Sequence, residues 1–64
     1  MNNHFPQAYL SESQSADHLG VSKKSLQRWR FYRQGPPYSK LNGKTIRYRR
    51  EDLDQWMSDR AVKS

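Results

Sequence analysis

The sequence predicts a mainly α-helical domain with one small β-hairpin, arranged as a winged helix-turn-helix. Two segments with helix-capping signals are joined by a glycine-containing link of about three residues, which is typical of a helix-turn-helix. An Asn-Gly dipeptide then lies between two alternating runs, the strongest short-range signal of a hairpin, and an amphipathic helical pattern follows. The chain of 64 residues has room for one domain. We place it at residues 10–59, between a flexible lead-in at residues 1–9 and a flexible tail at residues 60–64.

The first helix is predicted to begin after Ser11. Ser11 and Gln14 form the S-x-x-Q pattern of a capping box, in which each residue satisfies a backbone amide of the other. Ala16 and Leu19 follow at helical spacing, and Gly20 is where we expect the helix to end.

The second helix is predicted over residues 23–33, with Ser22 as its N-cap. Leu26 and Trp29 are spaced to define its inward stripe, so core packing of Trp29 is favoured over stacking on a base. Gly35 is expected to take the left-handed conformation at the end of this helix, and the two prolines after it prevent continuation.

The hairpin is predicted with a two-residue turn at Asn42-Gly43, because both turn residues need positive φ. This turn pairs Leu41 with Lys44 and Ser39 with Ile46. The packing face then carries Ser39, Leu41, Ile46 and Tyr48, and the basic face carries Tyr38, Lys40, Thr45 and Arg47. We expect the hairpin to dock on the helices through Leu41, Ile46 and Tyr48, with the Tyr48 hydroxyl reaching outward.

The last helix is predicted over residues 50–58, with Leu53, Trp56 and Met57 forming one apolar face in the core.

Two details stay open at this point. The adjacent Phe31 and Tyr32 cannot both face inward, and the sequence does not decide which is exposed. Arg49 and Arg50 oppose the helix dipole, so phosphate contact and an ion pair with Glu51 or Asp54 are equally good explanations.

Basic side chains are concentrated in the middle of the chain. Residues 23–50 contain ten lysines and arginines and no carboxylate, whereas all six aspartates and glutamates lie outside this stretch. The net charge is +6. A dense positive field on a small domain suits a polyanionic partner, and nucleic acid is the first candidate because neutralised phosphates release counterions.

Several motifs in order resemble those of one family. They are Tyr9-Leu10-Ser11, Leu19-Gly20-Val21-Ser22, Leu26-Gln27-Arg28-Trp29-Arg30, Gly35-Pro36-Pro37 and Tyr48-Arg49-Arg50-Glu51-Asp52-Leu53. From Tyr9 to Met57 the chain resembles the excisionase family, which are small MerR-like winged helix-turn-helix DNA-binding proteins of phages, plasmids and integrative elements. The chain departs from the family at Ser15, where an alanine is common, and this change is expected to loosen the core.

The resemblance implies how such a protein works. The second helix enters the major groove, and the wing lies along the neighbouring minor groove or backbone. Family members bend DNA and help an integrase, a tyrosine or serine recombinase, to excise a mobile element. The related AlpA-type transcriptional regulators are the alternative, and the sequence barely separates the two roles.

Two groups of side chains are the candidates for contact with double-stranded DNA. On the second helix they are Ser22, Lys23, Lys24, Ser25, Gln27, Arg28 and Arg30; on the wing they are Lys40, Asn42, Gly43, Lys44, Thr45 and Arg47. Gln27 suits adenine and Arg28 suits guanine. The alternative is that both groups are simply solvated polar surfaces.

Other partners and functions are less well supported. We expect no cofactor, and no metal site because His4 and His18 are isolated and cysteine is absent. No nucleophile motif suggests an enzyme, and no apolar run approaches the ~20 residues of a membrane span. The lack of cysteine fits a reducing compartment. With the resemblance to the excisionase family, we expect the protein in the bacterial cytoplasm, associated with the nucleoid. An RNA-binding module is a third possibility, but RNP-type aromatic strands are missing.

Self-association on DNA is a further expectation. One small module reads little sequence, so several copies are expected to lie side by side. The acidic last helix, with Asp52, Asp54 and Asp59, is then expected to meet a basic face of the next copy. Off DNA, we expect a monomer.

Overall fold

The computed structural model describes residues 8–62 and has, within them, three helices and a three-stranded antiparallel sheet. In chain order the elements are β1 (Tyr9–Leu10), α1 (Glu12–Leu19), α2 (Lys23–Phe31), β2 (Ser39–Leu41), β3 (Thr45–Arg49) and α3 (Arg50–Asp59). Helices α1 and α2 form the helix-turn-helix, and β2 and β3 form the wing, so the predicted fold class is confirmed. Residues 1–7 of the expected lead-in and residues 63–64 of the expected tail lie outside the described residues.

Helix α1 begins and ends as its sequence predicts. The Gln14 amide donates to the Ser11 hydroxyl oxygen at 3.1 Å, and the Ser11 amide donates to the Gln14 side-chain oxygen at 2.9 Å. Gly20, with φ of 74°, then turns the chain into the left-handed region and closes the helix. Ser15 is fully buried, and its hydroxyl donates to the Ser11 carbonyl at 2.7 Å. The buried hydroxyl group of Ser15 therefore has a hydrogen-bond partner within the helix.

Helix α2 ends differently from the prediction. Ser22 caps its start as expected, accepting from the Ser25 amide at 3.1 Å. The helix stops at Phe31, and Arg33, not Gly35, takes the left-handed conformation with φ of 57°. Gly35 is needed for a close approach instead, because a Cβ there would lie 3.0 Å from the Cβ of Trp29. The prediction that Gly35 would hold the left-handed position was therefore wrong.

The wing is shifted by one residue from the predicted register. Asn42 and Gly43 both have positive φ, and the Lys44 amide donates to the Leu41 carbonyl at 3.0 Å, as a tight turn requires. Strand pairing starts one residue later, however, with Leu41 opposite Thr45, Lys40 opposite Ile46 and Ser39 opposite Arg47. Lys44 is thus an extra loop residue, and the faces of β2 are exchanged. Leu41 is 49% exposed, so its predicted packing role was wrong.

A third strand, which the sequence did not predict, covers the other edge of β3. In β1, Tyr9 pairs with Arg49 and Leu10 pairs with Tyr48. The Arg50 amide also donates to the carbonyl of Ala8 at 2.9 Å. The chain before α1 therefore adds Leu10 to the core and fixes the junction between β3 and α3.

The core lies between the sheet and the three helices. Its buried apolar members are Leu10, Ala16, Leu19, Leu26, Tyr48 and Leu53, with Val21, Trp29 and Ile46 packed against them. The predicted core position of Trp29 is confirmed, and its ring centroid lies 5.3 Å from that of the half-buried Trp56. Met57 is 46% exposed, so its predicted core position was wrong. Within residues 8–62, no helix is long and apolar enough to cross a bilayer.

Candidate nucleic-acid interface

Helix α2 presents one continuous exposed stripe to solvent. Its members recur at helical spacing and are Lys24, Gln27, Arg28 and Phe31, which we call the outer stripe. Lys23 is exposed beside it, whereas Leu26 on the opposite side is fully buried. A period of 3.6 residues separates the two faces cleanly. The capping pair Ser22 and Ser25 is hydrogen-bonded internally, with the two hydroxyl oxygens 3.0 Å apart.

The exposed cations of this face pair with no carboxylate of residues 8–62. Across the described residues, every ion pair to a carboxylate involves His18, Arg30 or Arg49. Lys23, Lys24 and Arg28 are therefore solvated charges. Such charges can neutralise phosphates without first breaking a contact within the protein.

Arg30 was predicted to join this face, but the structure places its guanidinium elsewhere. Its Nε and Nη2 donate to the two carboxylate oxygens of Glu12 at 2.8 and 3.1 Å. The same guanidinium lies over the ring of Tyr38, 5.8 Å from the ring centroid. Since the pair is bidentate and mostly buried, Arg30 is withdrawn from the candidate DNA contacts and assigned to the scaffold.

The ion pair is part of a mostly buried cluster of three side chains. The Tyr48 hydroxyl donates to the Glu12 carboxylate at 3.3 Å, so the cluster of Glu12, Arg30 and Tyr48 connects α1, α2 and β3. The hydrogen bonds that Arg30 donates to Glu12 raise the pKa of Arg30. Burial, and then the Glu12 charge, raise the pKa of the Tyr48 phenol. The hydroxyl thus points into the cluster, contrary to the prediction that it would reach outward.

The wing distributes its polar residues over two faces. Lys44 lies at the exposed tip, directly after Asn42 and Gly43. In the observed register Thr45 and Arg47 share a face with Ser39 and Leu41, while Lys40 lies on the opposite face. Arg47 is half-buried, and its Nη1 donates to the carbonyl of Ile46 at 2.8 Å. The predicted wing residues therefore do not form one basic face.

The structure shows an ion pair for Arg49 and none, within residues 8–62, for Arg50. Arg49 forms ion pairs with Glu51 and Asp52, both at 3.1 Å, and the hydrogen bond with Asp52 raises its pKa. Asp54 instead contacts His18, with the two side-chain atoms 2.7 Å apart.

Phe31 and Tyr32 are both exposed, at 78% and 61%.

No clustering of three potential metal ligands occurs among the residues that the structure describes.

Sequence reasoning missed the structural role of Glu12. Its position in the first turn of α1 suggested only a favourable interaction with the helix dipole. Its partner Arg30 is 18 residues away, and no local pattern links the two side chains. The one indication in the sequence is that Arg30 lies next to Trp29, a residue predicted to face the core.

Comparison with protein families identifies the class of this domain. The family model described as "Helix-turn-helix domain" matches residues 9–61. The chain therefore belongs to this helix-turn-helix family, a DNA-binding family that includes excisionase-like proteins. A comparison with curated proteins gives no match.

Proposed function

We propose that this protein is an excisionase, a recombination directionality factor that binds and bends DNA to promote integrase-mediated excision of a mobile element. The observation that carries the DNA-binding part is the exposed face of α2, whose cations are free of internal carboxylates within residues 8–62. The motifs shared with the excisionase family support the recombination part.

Helix α2 is the proposed reader of the major groove. Lys23 and Lys24 lie in its first turn, where they can contact phosphates as the helix enters the groove. Gln27 and Arg28 follow on the outer stripe and are suited to bidentate contacts with adenine and guanine. Ser22 and Ser25 lie at the same end of the helix, and their hydroxyl groups can donate hydrogen bonds to a phosphate.

The wing is the proposed second contact. Lys44 at the tip, with the backbone of Asn42 and Gly43, can approach a phosphate or the minor groove. Thr45 and Arg47 can follow along one face, whereas Lys40 faces the other way. The shifted register therefore favours the tip over the strands as the main point of contact.

Assembly of further copies side by side on DNA is part of the same proposal. The acidic residues Asp54 and Asp59 of α3 are exposed and can face cations of a neighbouring copy. Asp54 contacts His18, whereas Asp59, within residues 8–62, accepts a hydrogen bond only from the neutral amide of Gln55, so Asp59 gives the cleaner test of charge. Asp59→Lys should weaken cooperative binding to a multiple site and spare binding to a single site, whereas Asp17→Lys on α1 is the matched control. Unchanged cooperativity in Asp59→Lys would remove this part.

The test of the biological role combines footprinting with two functional assays. Footprinting covers DNA flanking the gene, including any nearby attachment site. Protection in repeated units, with stimulation of excision by a co-expressed tyrosine or serine integrase, is the expected result. Protection of a promoter alone, with a change only in a transcriptional reporter, would replace the excisionase by an AlpA-type regulator.

A competition experiment tests the choice of nucleic acid. Labelled duplex DNA is bound by the protein and challenged with unlabelled duplex DNA or RNA at one salt concentration. Duplex DNA should compete better, because α2 is suited to a major groove that is accessible in B-form DNA and not in A-form RNA. Stronger competition by RNA would overturn the proposal.

A further inference from the structure

Two adjacent aromatic rings at the end of α2 are exposed without an obvious structural reason. Phe31 is 78% exposed and Tyr32 is 61% exposed. Their ring centroids are 5.1 Å apart in an edge-to-face arrangement, with an interplanar angle of 88°. This geometry is favourable for an aromatic pair and restrains the Phe31 ring. An ordered apolar surface in this position suggests contact with a partner.

The position of Phe31 places it on the outer stripe. Lys24, Gln27, Arg28 and Phe31 are spaced as i, i+3, i+4 and i+7, which puts all four on one face of α2. The recognition helix of homeodomains presents its base-contacting side chains at this spacing. With Tyr32 and the Glu12-bound Arg30, these side chains line one shallow depression on the surface. A duplex that lies along the stripe therefore meets Phe31 after Arg28.

The surroundings of the aromatic pair favour DNA as the partner. Lys24 and Arg28 are exposed cations on the same depression, and the described residues provide no carboxylate partner for them. An apolar protein partner would have to bury these charges without compensation. A duplex instead offers phosphates to the cations and, in its major groove, one apolar group on the base edges, the C5-methyl of thymine.

We propose that Phe31 is a specificity-determining residue that packs against a thymine methyl group, with Tyr32 holding its ring. This inference rests on the proposed binding of α2 in the major groove. It adds a preference for thymine to the polar contacts of Gln27 and Arg28. The preferred site should therefore contain a thymine on the side of the site that faces the C-terminal end of α2.

The test begins with selection of preferred duplexes from a randomised pool by the intact protein. Each thymine of the selected site is then replaced by deoxyuridine, which removes only the methyl group. Binding of the wild type should weaken about fourfold at one thymine, as expected for one buried methyl-sized group. Phe31→Ala should bind the thymine site about as weakly as the wild type binds the uracil site, and should not distinguish the two.

Two variants separate the proposed contact from general effects. Tyr32→Phe keeps the aromatic pair and should keep the preference for thymine. Met57→Ala removes another exposed apolar side chain, on α3, and should leave both affinities unchanged. Circular dichroism of each variant checks that the fold is retained.

The outcomes distinguish this inference from the proposed function. Failure of the protein to select or bind any duplex contradicts the proposed DNA binding itself. Tight, selective binding in which no uracil replacement matters, or in which Phe31→Ala keeps the wild-type preference, overturns only the role of Phe31. Sedimentation that reveals loss of self-association without DNA in Phe31→Ala would identify a second copy as the partner and would also overturn it.

Discussion

Two arginines of one helix, Arg28 and Arg30, illustrate how geometry divides the charges of this protein. They are two residues apart and therefore point about 160° apart around α2. Arg30 is held by both carboxylate oxygens of Glu12 and is mostly buried. Arg28 is exposed, with no carboxylate partner in the described part of the chain. One arginine stabilises the domain, and the other is available for a ligand.

The largest expected effect comes from breaking the buried side of this comparison. Glu12→Gln leaves the Arg30 guanidinium without its counterion and should lower the free energy of unfolding by about 2 kcal/mol. We expect less than for a wholly buried pair because the Arg30 side chain remains 24% exposed. Urea denaturation measures the change. Glu51→Gln, which alters the exposed partner of Arg49, is the control and should leave the urea midpoint close to that of the wild type, because an exposed ion pair is screened by solvent.

The exposed side of the comparison should respond in binding and not in stability. Arg28→Ala should lose about 1–3 kcal/mol of discrimination between preferred and unrelated duplexes, as expected for one bidentate base contact. Its urea midpoint should match the wild type. Fluorescence anisotropy with both duplexes provides the measurement. If discrimination survives while stability falls, the assignments of the two arginines would have to be reversed.

Lys44 at the tip of the wing extends the comparison to a proposed phosphate contact, which does not depend on the base sequence of the DNA. Lys44→Ala should weaken binding to all duplexes alike, by roughly eightfold at about 0.1 M salt if one phosphate contact is lost. The slope of the logarithm of the association constant against the logarithm of salt concentration should become shallower by about 1. Lys40→Ala, on a different face of the wing from Thr45 and Arg47, is the matched comparison and should have a smaller effect. An equal effect would contradict contact through the tip.

The smallest expected effect concerns the end of α2, which carries both arginines. Arg33 has φ of 57°, a conformation that glycine adopts without strain. Arg33→Gly should therefore raise the free energy of unfolding by about 0.5 kcal/mol relative to Arg33→Ala, which removes the same charge. Gly35→Ala should be destabilising, because its Cβ would meet Trp29. Thermal denaturation compares the three variants, and a gain in stability for Gly35→Ala would contradict the observed helix end.

Local signals explain which parts of the fold could be predicted from the sequence. The capping residues Ser11, Gln14 and Ser22, and Gly20 at the end of α1, act within one helical turn, so their patterns are readable. The positive φ of Asn42 and Gly43 was readable for the same reason. The register was not, because Lys44 can either pair or remain in the loop without changing the turn residues.

Contacts between distant residues explain what was missed. Strand β1 has two residues, too few for an alternating pattern, and forms only because β3 offers a free edge. Arg30 has the same character as Arg28 in the sequence, and only the tertiary structure brings Glu12 to one of them. The candidate DNA-contacting set could therefore be proposed from charge, but its buried member could not be separated from the exposed ones.

The salt dependence of binding to duplex DNA tests the central claim most directly. If the exposed cations of α2 and the wing neutralise several phosphates together, the logarithm of the association constant should fall linearly with the logarithm of salt concentration. The expected slope is about −3 or steeper, since each phosphate contributes about −0.9. A slope near zero, with binding intact, would contradict the account.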